Sequence, residues 1–185
     1  LRNDGALYRF GNGAPGFSGQ NYNSYGPTQL AGQSARAIAS SPTSNDPHST
    51  LLIGTDGSLW AGGYNNYGQL GTGDTNQRYN FVKIVDSNVT DVAMGYHHSL
   101  FLKSDGSLWA MGNNENGQLG TGDNDDRNTP VQVIPSGVTH IAAGGIHSLF
   151  IKSDGTLWAM GYNNYGQLGD GGTTNRNTPV QVVPG

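Results

Sequence analysis

Residues Asp105–Ile134 read DGSLWAMGNNENGQLGTGDNDDRNTPVQVI, and a close copy of this stretch lies on either side of it. The following copy, Asp154–Val183, reads DGTLWAMGYNNYGQLGDGGTTNRNTPVQVV, and the preceding copy, Asp56–Val85, reads DGSLWAGGYNNYGQLGTGDTNQRYNFVKIV. The tryptophans of the three copies are 49 residues apart, at Trp60, Trp109 and Trp158. A fixed period of this length indicates a repeat architecture. Residues that recur in every unit are then expected to serve the scaffold, and residues that depart from the period are free for a particular role.

The composition favours turn-rich β-structure and excludes several classes of protein. Of the 185 residues, 34% are apolar, only 12% are charged and 30 are glycines. The net charge of −4 leaves no basic surface for nucleic acid. No apolar run approaches the roughly 18 residues of a membrane-spanning helix, so membrane insertion is not expected. The absence of cysteine excludes disulfides and thiolate metal sites.

Each repeat unit predicts four short strands. In the unit that begins at Val89, turn signals separate four apolar runs: Val89–Gly95, His98–Ser104, Ser107–Gly112 and Thr129–Ile134. The dipeptide Asp105-Gly106 between the second and third runs is typical of a tight hairpin turn. Four consecutive strands joined in this way form a four-stranded antiparallel sheet.

The residues on the faces of these strands predict an all-β fold, the β-propeller. Leu100, Phe101 and Leu102 in the second strand are consecutive apolar residues, which requires both faces of the sheet to be buried. A propeller blade meets this condition because it packs against a neighbour on each side. Ala93 and the other small residues of the first strand fit the crowded axis, and Pro130, at the beginning of the last strand, fits an outer edge.

The period divides the chain into three four-stranded antiparallel blades and a divergent leading half blade. The predicted blades are Ser34–Val85, Val89–Ile134 and Val138–Val183, and residues 1–33 form the half blade. In that half blade, Leu1–Phe10 matches a third strand with Tyr8 in the tryptophan position, and Thr28–Leu30 matches a fourth strand. Its two inner strands are missing. Because exposed ladders associate readily, we expect either a longer ring or completion by another chain.

The motifs Asp-Gly-Ser-Leu-Trp, Gly-Gln-Leu-Gly, Thr-Pro and His-Ser-Leu, repeated in one order, resemble the regulator of chromosome condensation repeat. The resemblance covers residues 35–183, with residues 1–32 as a weak fourth copy. It implies a β-propeller, of seven blades in typical members. Some eukaryotic members exchange nucleotide on a small GTPase and bind chromatin, some bacterial ones are secreted inhibitors of an enzyme such as β-lactamase, and many are surface repeats.

The residues that suggest chemistry recur with the period, which indicates a structural role. His98-Ser99 and His147-Ser148 resemble nucleophile pairs, but a catalytic pair should be singular, so these histidines are expected to bond a neighbouring loop. The run from Asp123 to Asp126 lacks the glycine and the closing glutamate of a calcium loop and indicates a solvated turn. No catalytic, metal or cofactor site is predicted. The recurring tryptophans are expected in the core, and the recurring arginines (Arg78, Arg127 and Arg176) are expected to bond loop carbonyls or aspartates.

The positions at which the copies differ are the candidates for binding a partner. Tyrosine and asparagine on rigid loops give a large contact area with few rotatable bonds. The alternative is that these side chains only pack the loops. The candidate partner-binding residues are Tyr64, Tyr67, Tyr96, His97, Asn116, Tyr162 and Tyr165.

The sequence therefore predicts a non-enzymatic protein-binding or structural scaffold module of an exported or surface bacterial-type protein, which binds a protein partner through its inter-strand loops. Two alternatives remain: an arc of a self-assembling ring or filament completed by another chain, and a propeller that acts as a guanine-nucleotide exchange factor or enzyme inhibitor. The abundance of glycine, asparagine, threonine and tyrosine with little lysine favours an extracellular or cell-surface location. Asn88-Val89-Thr90 is the single glycosylation sequon.

Overall fold

A computed structural model describes residues 6–9, 28–42 and 48–185, with side chains from residue 35 onward within those ranges. All regular structure in these residues is β-strand, arranged in three antiparallel sheets whose strands follow one another in chain order. This confirms the all-β prediction of four-stranded blades. Most of the predicted half blade, residues 1–5 and 10–27, lies outside the described residues.

The first sheet contains five strands and the other two contain four each. The strands of the first sheet are β1 (Ala6–Arg9), β2 (Thr28–Ser40), β3 (Ser49–Gly54), β4 (Leu59–Gly63) and β5 (Arg78–Val85). The strands of the second are β6 (Val89–Met94), β7 (His98–Lys103), β8 (Leu108–Gly112) and β9 (Arg127–Ile134). The strands of the third are β10 (Val138–Ala143), β11 (His147–Lys152), β12 (Leu157–Gly161) and β13 (Arg176–Val183). We call the sheets β2–β5, β6–β9 and β10–β13 the first, second and third blades.

Two strand boundaries differ from the sequence prediction. The strand β2 is a single stretch of 13 residues: its beginning pairs with β1 and its end pairs with β3, so no break separates the leading hairpin from the first blade. The fourth strand of the second blade begins at Arg127, three residues before Pro130. The proline is tolerated inside this strand because β9 forms the edge of its sheet and has a register irregularity opposite Ala110–Gly112.

The hairpin turn between the second and third strands is held by side chains. Asp105 Oδ1 accepts hydrogen bonds from the backbone N–H and the hydroxyl of Ser107, and the Ser107 oxygen accepts the indole N–H of Trp109. The same relay recurs in the first and third blades. The hydroxyl bond lowers the pKa of the Asp105 carboxyl below its ordinary value.

The prediction that the tryptophans belong to the core is only partly correct. Trp109 packs one face against an apolar cluster, but the residue is half-buried rather than enclosed. Lys103 covers its ring, with Nζ 4.4 Å from the ring centroid, and Lys152 covers the ring of Trp158 in the same way. The tryptophan therefore lies at the margin of the core, where its indole N–H can reach a polar partner.

The core lies between consecutive blades. Each blade has a trailing face, which points to the following blade, and a leading face, which points to the preceding one. Leu51 and Ile53 on the trailing face of the first blade pack against Phe101 and Met111 on the leading face of the second. A second cluster joins the second and third blades at the equivalent positions. Burial of each such side chain contributes about 1.5–3 kcal/mol, so the stability of the fold resides in contacts between blades.

Candidate partner-binding surface

The strand order places two sets of loops at the same end of the blades. In each blade, the loop between the first and second strands and the loop between the third and fourth strands both lie at this end, since the strands alternate in direction. The backbone joins the two loops directly: Asn113 N–H donates to the His97 carbonyl, and Tyr162 N–H donates to the Ile146 carbonyl. We call this end, formed by residues 64–77, 95–97, 113–126, 144–146 and 162–175, the loop face.

A buried asparagine holds the long loop of each blade in one shape. In the second blade, Asn114 Oδ1 accepts the Leu119 N–H, and Asn114 Nδ2 donates to the Thr121 hydroxyl and the Asp123 carbonyl. Asn65 and Asn163 make the equivalent bonds in the other blades. This asparagine is not among the residues predicted from the sequence, although its recurrence in all three copies is a visible signal. The loops are consequently rigid supports for the variable side chains.

An arginine–aspartate pair closes each long loop, as the sequence analysis expected. Arg127 contacts Asp123 at 2.5 Å and also donates to the Asp125 carbonyl. Arg78 pairs with Asp74 in the first blade, and the pKa of the Asp74 carboxyl is strongly lowered because Arg78 bonds it. The third blade has glycine at the Asp123 position, and its arginine instead contacts Asp170, two positions earlier in the loop, at 2.7 Å.

Three of the candidate residues form one aromatic group, which we call the aromatic triad: Tyr64, Tyr67 and His97. The Tyr67 and His97 rings are stacked, with centroids 4.5 Å apart and planes inclined by 25°. Tyr64 meets the edge of Tyr67 at 6.5 Å and lies 6.0 Å from His97. Tyr67 belongs to the first blade and His97 to the second, so this group spans the boundary between the two blades.

The other four candidate residues are not members of the triad. Tyr96 is 43% exposed and its ring covers Gly145 of the third blade, where a β-carbon would overlap it. Asn116 Oδ1 accepts a hydrogen bond from Asn175 Nδ2, again across a blade boundary. Tyr162 and Tyr165 form an edge-to-face pair at 6.1 Å, and Tyr165 is 87% exposed.

The recurring His-Ser pairs are part of the scaffold. His98 Nε2 lies 3.0 Å from Ser148 Oγ in the next blade, and Ser148 Oγ donates to the Gln118 carbonyl at 2.7 Å. The serine proton is thus engaged, and the imidazole is the donor to the serine oxygen. Burial lowers the pKa of His98 to about 3, so the ring is neutral. A hydroxyl that is fully buried and takes part in two hydrogen bonds is unsuited to act as a nucleophile.

The described residues contain no group of three or more histidine, aspartate or glutamate side chains arranged to hold a metal ion. Asp123, the first residue of the run that resembles a calcium loop, bonds Arg127, Thr121 and the backbone of Asp125. No helix in the described part of the chain has the length and apolar character needed to span a bilayer.

A model of the regulator of chromosome condensation (RCC1) repeat matches residues 56–102, 105–151 and 154–184, which together make up more than half of the chain. A second model with the same description matches residues 89–118 and 138–167.

Solved structures share this fold. Human WBSCR16 is 26% identical, with a TM-score of 0.79 over 99% of this chain and 50% of its own. Prp20p from Saccharomyces cerevisiae, studied with its binding to Gsp1p and histones, is 19% identical, with a TM-score of 0.79 over 96% of this chain and 46% of its own. Yeast RCC1 (Prp20) bound to Kap60 is 19% identical, with a TM-score of 0.78 over 97% and 45%. The chain thus spans about half the length of each of these proteins.

Proposed function

Because the chain belongs to the regulator of chromosome condensation (RCC1) repeat family, we propose that it is a non-enzymatic module that binds a protein partner through its loop face. The observation that carries the proposal is the set of aromatic side chains that rigid loops present at this face. Proteins with the same fold bind other proteins: Prp20p was studied with Gsp1p and histones, and yeast RCC1 with Kap60. This supports the class of partner.

Tyr96 is the residue of the loop face best suited to contact a partner. Its backbone N–H donates to the Gly145 carbonyl at 2.9 Å, and its ring rests on that glycine, so the side chain is fixed before binding. A fixed tyrosine loses little conformational entropy on binding and offers both apolar area and a hydroxyl. The aromatic triad extends the same surface through His97, the next residue in the chain.

The charges of the loop face favour a neutral or basic partner surface. In the second blade, Glu115, Asp125 and Asp126 are exposed, whereas Arg127 is engaged by Asp123. An acidic partner surface would meet exposed negative charge here, which disfavours its approach. If the partner surface is basic, we expect binding to weaken as salt is added.

A photo-crosslinking amino acid at position 96 tests the proposal, with the same amino acid at position 136 as the control. Ser136 is exposed in the turn between β9 and β10, at the end of the blades opposite the loop face. The expected result, in an extract of the source cells, is one crosslinked protein from position 96 that is absent from position 136. Equal crosslinking from both positions, or none from position 96, would contradict the proposal.

The proposal includes an exported or surface location. The scarcity of lysine and the exposed position of Asn88 in the turn between the first and second blades support it. Fractionation of the source cells gives an independent check, since a protein found only in the cytosol would contradict this part.

A further inference from the structure

The two boundaries between blades carry different side chains at the loop face. At the boundary between the second and third blades, Asn116 Oδ1 accepts a hydrogen bond from Asn175 Nδ2 at 3.0 Å. At the boundary between the first and second blades, Tyr67 has the position of Asn116. Asp126 has the position of Asn175 there. The asparagine pair that closes one boundary is thus replaced at the other by an aromatic ring and a carboxylate.

The backbone places Tyr67 next to Asp126. A β-carbon on Gly68 would lie 3.1 Å from the Arg127 carbonyl oxygen, so the turn that carries Tyr67 packs directly against the end of the long loop of the second blade. The equivalent turn and loop bring the two asparagines together at the other boundary. Because Tyr67 is stacked on His97, the ring held beside the carboxylate belongs to the aromatic triad.

Asp126 presents a fixed carboxylate that no cation in the described part of the chain neutralises. Its Oδ1 accepts hydrogen bonds from the Asn114 N–H at 2.7 Å and from Asn113 Nδ2 at 3.3 Å, which orients the group. The residue is exposed, and the neighbouring Arg127 pairs with Asp123 instead. None of the ion pairs among the described residues includes Asp126. Its Oδ2 can therefore accept a donor from outside the chain.

The aromatic substitutions at this boundary also remove an internal hydrogen bond. In the second blade, Gln118 Nε2 donates to Asn113 Oδ1. In the first blade, Tyr64 has the position of that asparagine, and the fully buried Gln69 Nε2 has no hydrogen-bond partner within the described residues. A buried donor without an acceptor destabilises the fold. This cost favours a role in binding over the alternative that the tyrosine only packs its loop.

We propose that this boundary binds an arginine side chain of the partner, with the guanidinium stacked on the aromatic triad and paired with Asp126 Oδ2. The inference rests on the proposed function and names the chemistry of the partner at that surface. A guanidinium is planar, weakly hydrated and stacks on aromatic rings while it donates to a carboxylate. A lysine ammonium is a compact, strongly hydrated charge without a flat face, so arginine is preferred.

Peptide titrations followed by NMR test the proposal, with N-acetyl-glycyl-arginyl-glycine amide as the probe. Two reference peptides carry lysine or citrulline, the neutral isostere of arginine, in place of the arginine. The arginine peptide should shift the ring resonances of Tyr67 and His97. The lysine and citrulline peptides should bind at least about threefold more weakly, because each lacks either the stacking plane or the charge.

The test variants use residues that this chain already has at the other boundary. Asp126→Asn supplies the residue of the third blade, where Asn175 Oδ1 still accepts the Asn163 N–H at 2.8 Å, so the loop is expected to keep its shape. Tyr67→Asn supplies the residue of the second blade. Each should weaken binding of the arginine peptide at least about threefold. The control is Asp125→Asn, which removes the same charge from the adjacent exposed residue and should bind like the unaltered chain.

Three results would overturn the proposal. Equal weakening by Asp126→Asn and Asp125→Asn would indicate attraction by net charge alone. Equal affinity for the lysine peptide would show that a stacked guanidinium is not required, and unshifted ring resonances would place any binding elsewhere.

Crosslinking from position 96 separates this proposal from the function on which it rests. A protein that crosslinks equally well to the unaltered chain and to Asp126→Asn would contradict the arginine site and leave the proposed function standing. Arginine-peptide binding at the triad without any crosslinked protein would support the arginine site and contradict the proposed function.

Discussion

Replacing a glycine of the Gly-Gln-Leu-Gly loop by alanine should cost much more stability in the second blade than in the third. Gly117 and Gly166 have φ angles of 80° and 73°, so alanine introduces the same left-handed strain at both, about 1–2 kcal/mol. At Gly117 the new methyl group also overlaps Asn177 of the next blade, which adds about 1–3 kcal/mol of overpacking. The expected loss is therefore about 2–5 kcal/mol for Gly117→Ala and about 1–2 kcal/mol for Gly166→Ala.

Urea unfolding measures the two losses. Tryptophan fluorescence and circular dichroism should be followed together, because coincident curves are needed before a single free energy is assigned to a chain of repeats. Equal losses for the two variants would show that the cost is backbone strain alone and would refute the assignment of stability to blade contacts.

Two further outcomes are expected. Lowering the pH from 7 towards 4 should reduce the free energy of unfolding, because unfolding returns the pKa of His98 from about 3 to its ordinary 6.5 and the unfolded chain then binds a proton. Below pH 6.5 the free energy of unfolding should fall by up to about 1.4 kcal/mol per pH unit. The variant His98→Gln should flatten the profile of stability against pH, measured by urea unfolding, in this range. In the first blade, the Phe81 ring fills the space that Met111 fills in the second blade, so Gly62→Met and Phe81→Pro should each be destabilising. The loss of stability in the double variant should be smaller than the sum of the two single losses by at least about 1 kcal/mol. A pH profile unchanged by His98→Gln, or strictly additive losses in the second case, would contradict these assignments.

The period was enough to predict the strands, because each strand is fixed by signals inside one unit. Asp105-Gly106 sets a hairpin, and the consecutive apolar residues from Leu100 to Leu102 require two buried faces. The pairing of Phe101 with Trp109 in the register of β7 and β8 follows from that turn. The roles of the recurring arginines were predictable for the same reason: Arg127 and Asp123 are four residues apart in one loop.

Contacts between blades were not predictable, because the sequence of a single unit determines neither the rotation from one blade to the next nor how far a loop extends towards its neighbour. Tyr67 and His97 are 30 residues apart and stack across a boundary, and Asn116 meets Asn175 in the same way. The sequence identified these positions as variable. It did not show that Tyr64, Tyr67 and His97 form one aromatic group.

Substitutions that compensate within a blade were also missed. Lys103 covers Trp109 from the second strand, but the first blade has Gly54 at that position, and Lys83 on the fourth strand covers Trp60 instead, at 5.2 Å. Both blades thus place a lysine over the tryptophan ring, but the lysine comes from a different strand in each. A comparison of aligned positions one at a time records two unrelated differences here, because the shared partner is visible only in the packed blade.

The hydroxyl that joins consecutive blades bears on how such a chain changes in length over generations. Ser99 donates to the Gln69 carbonyl and Ser148 to the Gln118 carbonyl. The second unit therefore donates a serine hydroxyl to the unit before it and accepts the same kind of hydrogen bond from the unit after it. Loss of 49 residues in register would set Ser148 against Gln69, with donor, acceptor and spacing unchanged. Duplication of a unit would be accepted on the same terms. Unequal recombination between copies can therefore alter the number of blades and still keep the serine–glutamine hydrogen bond at the new boundary.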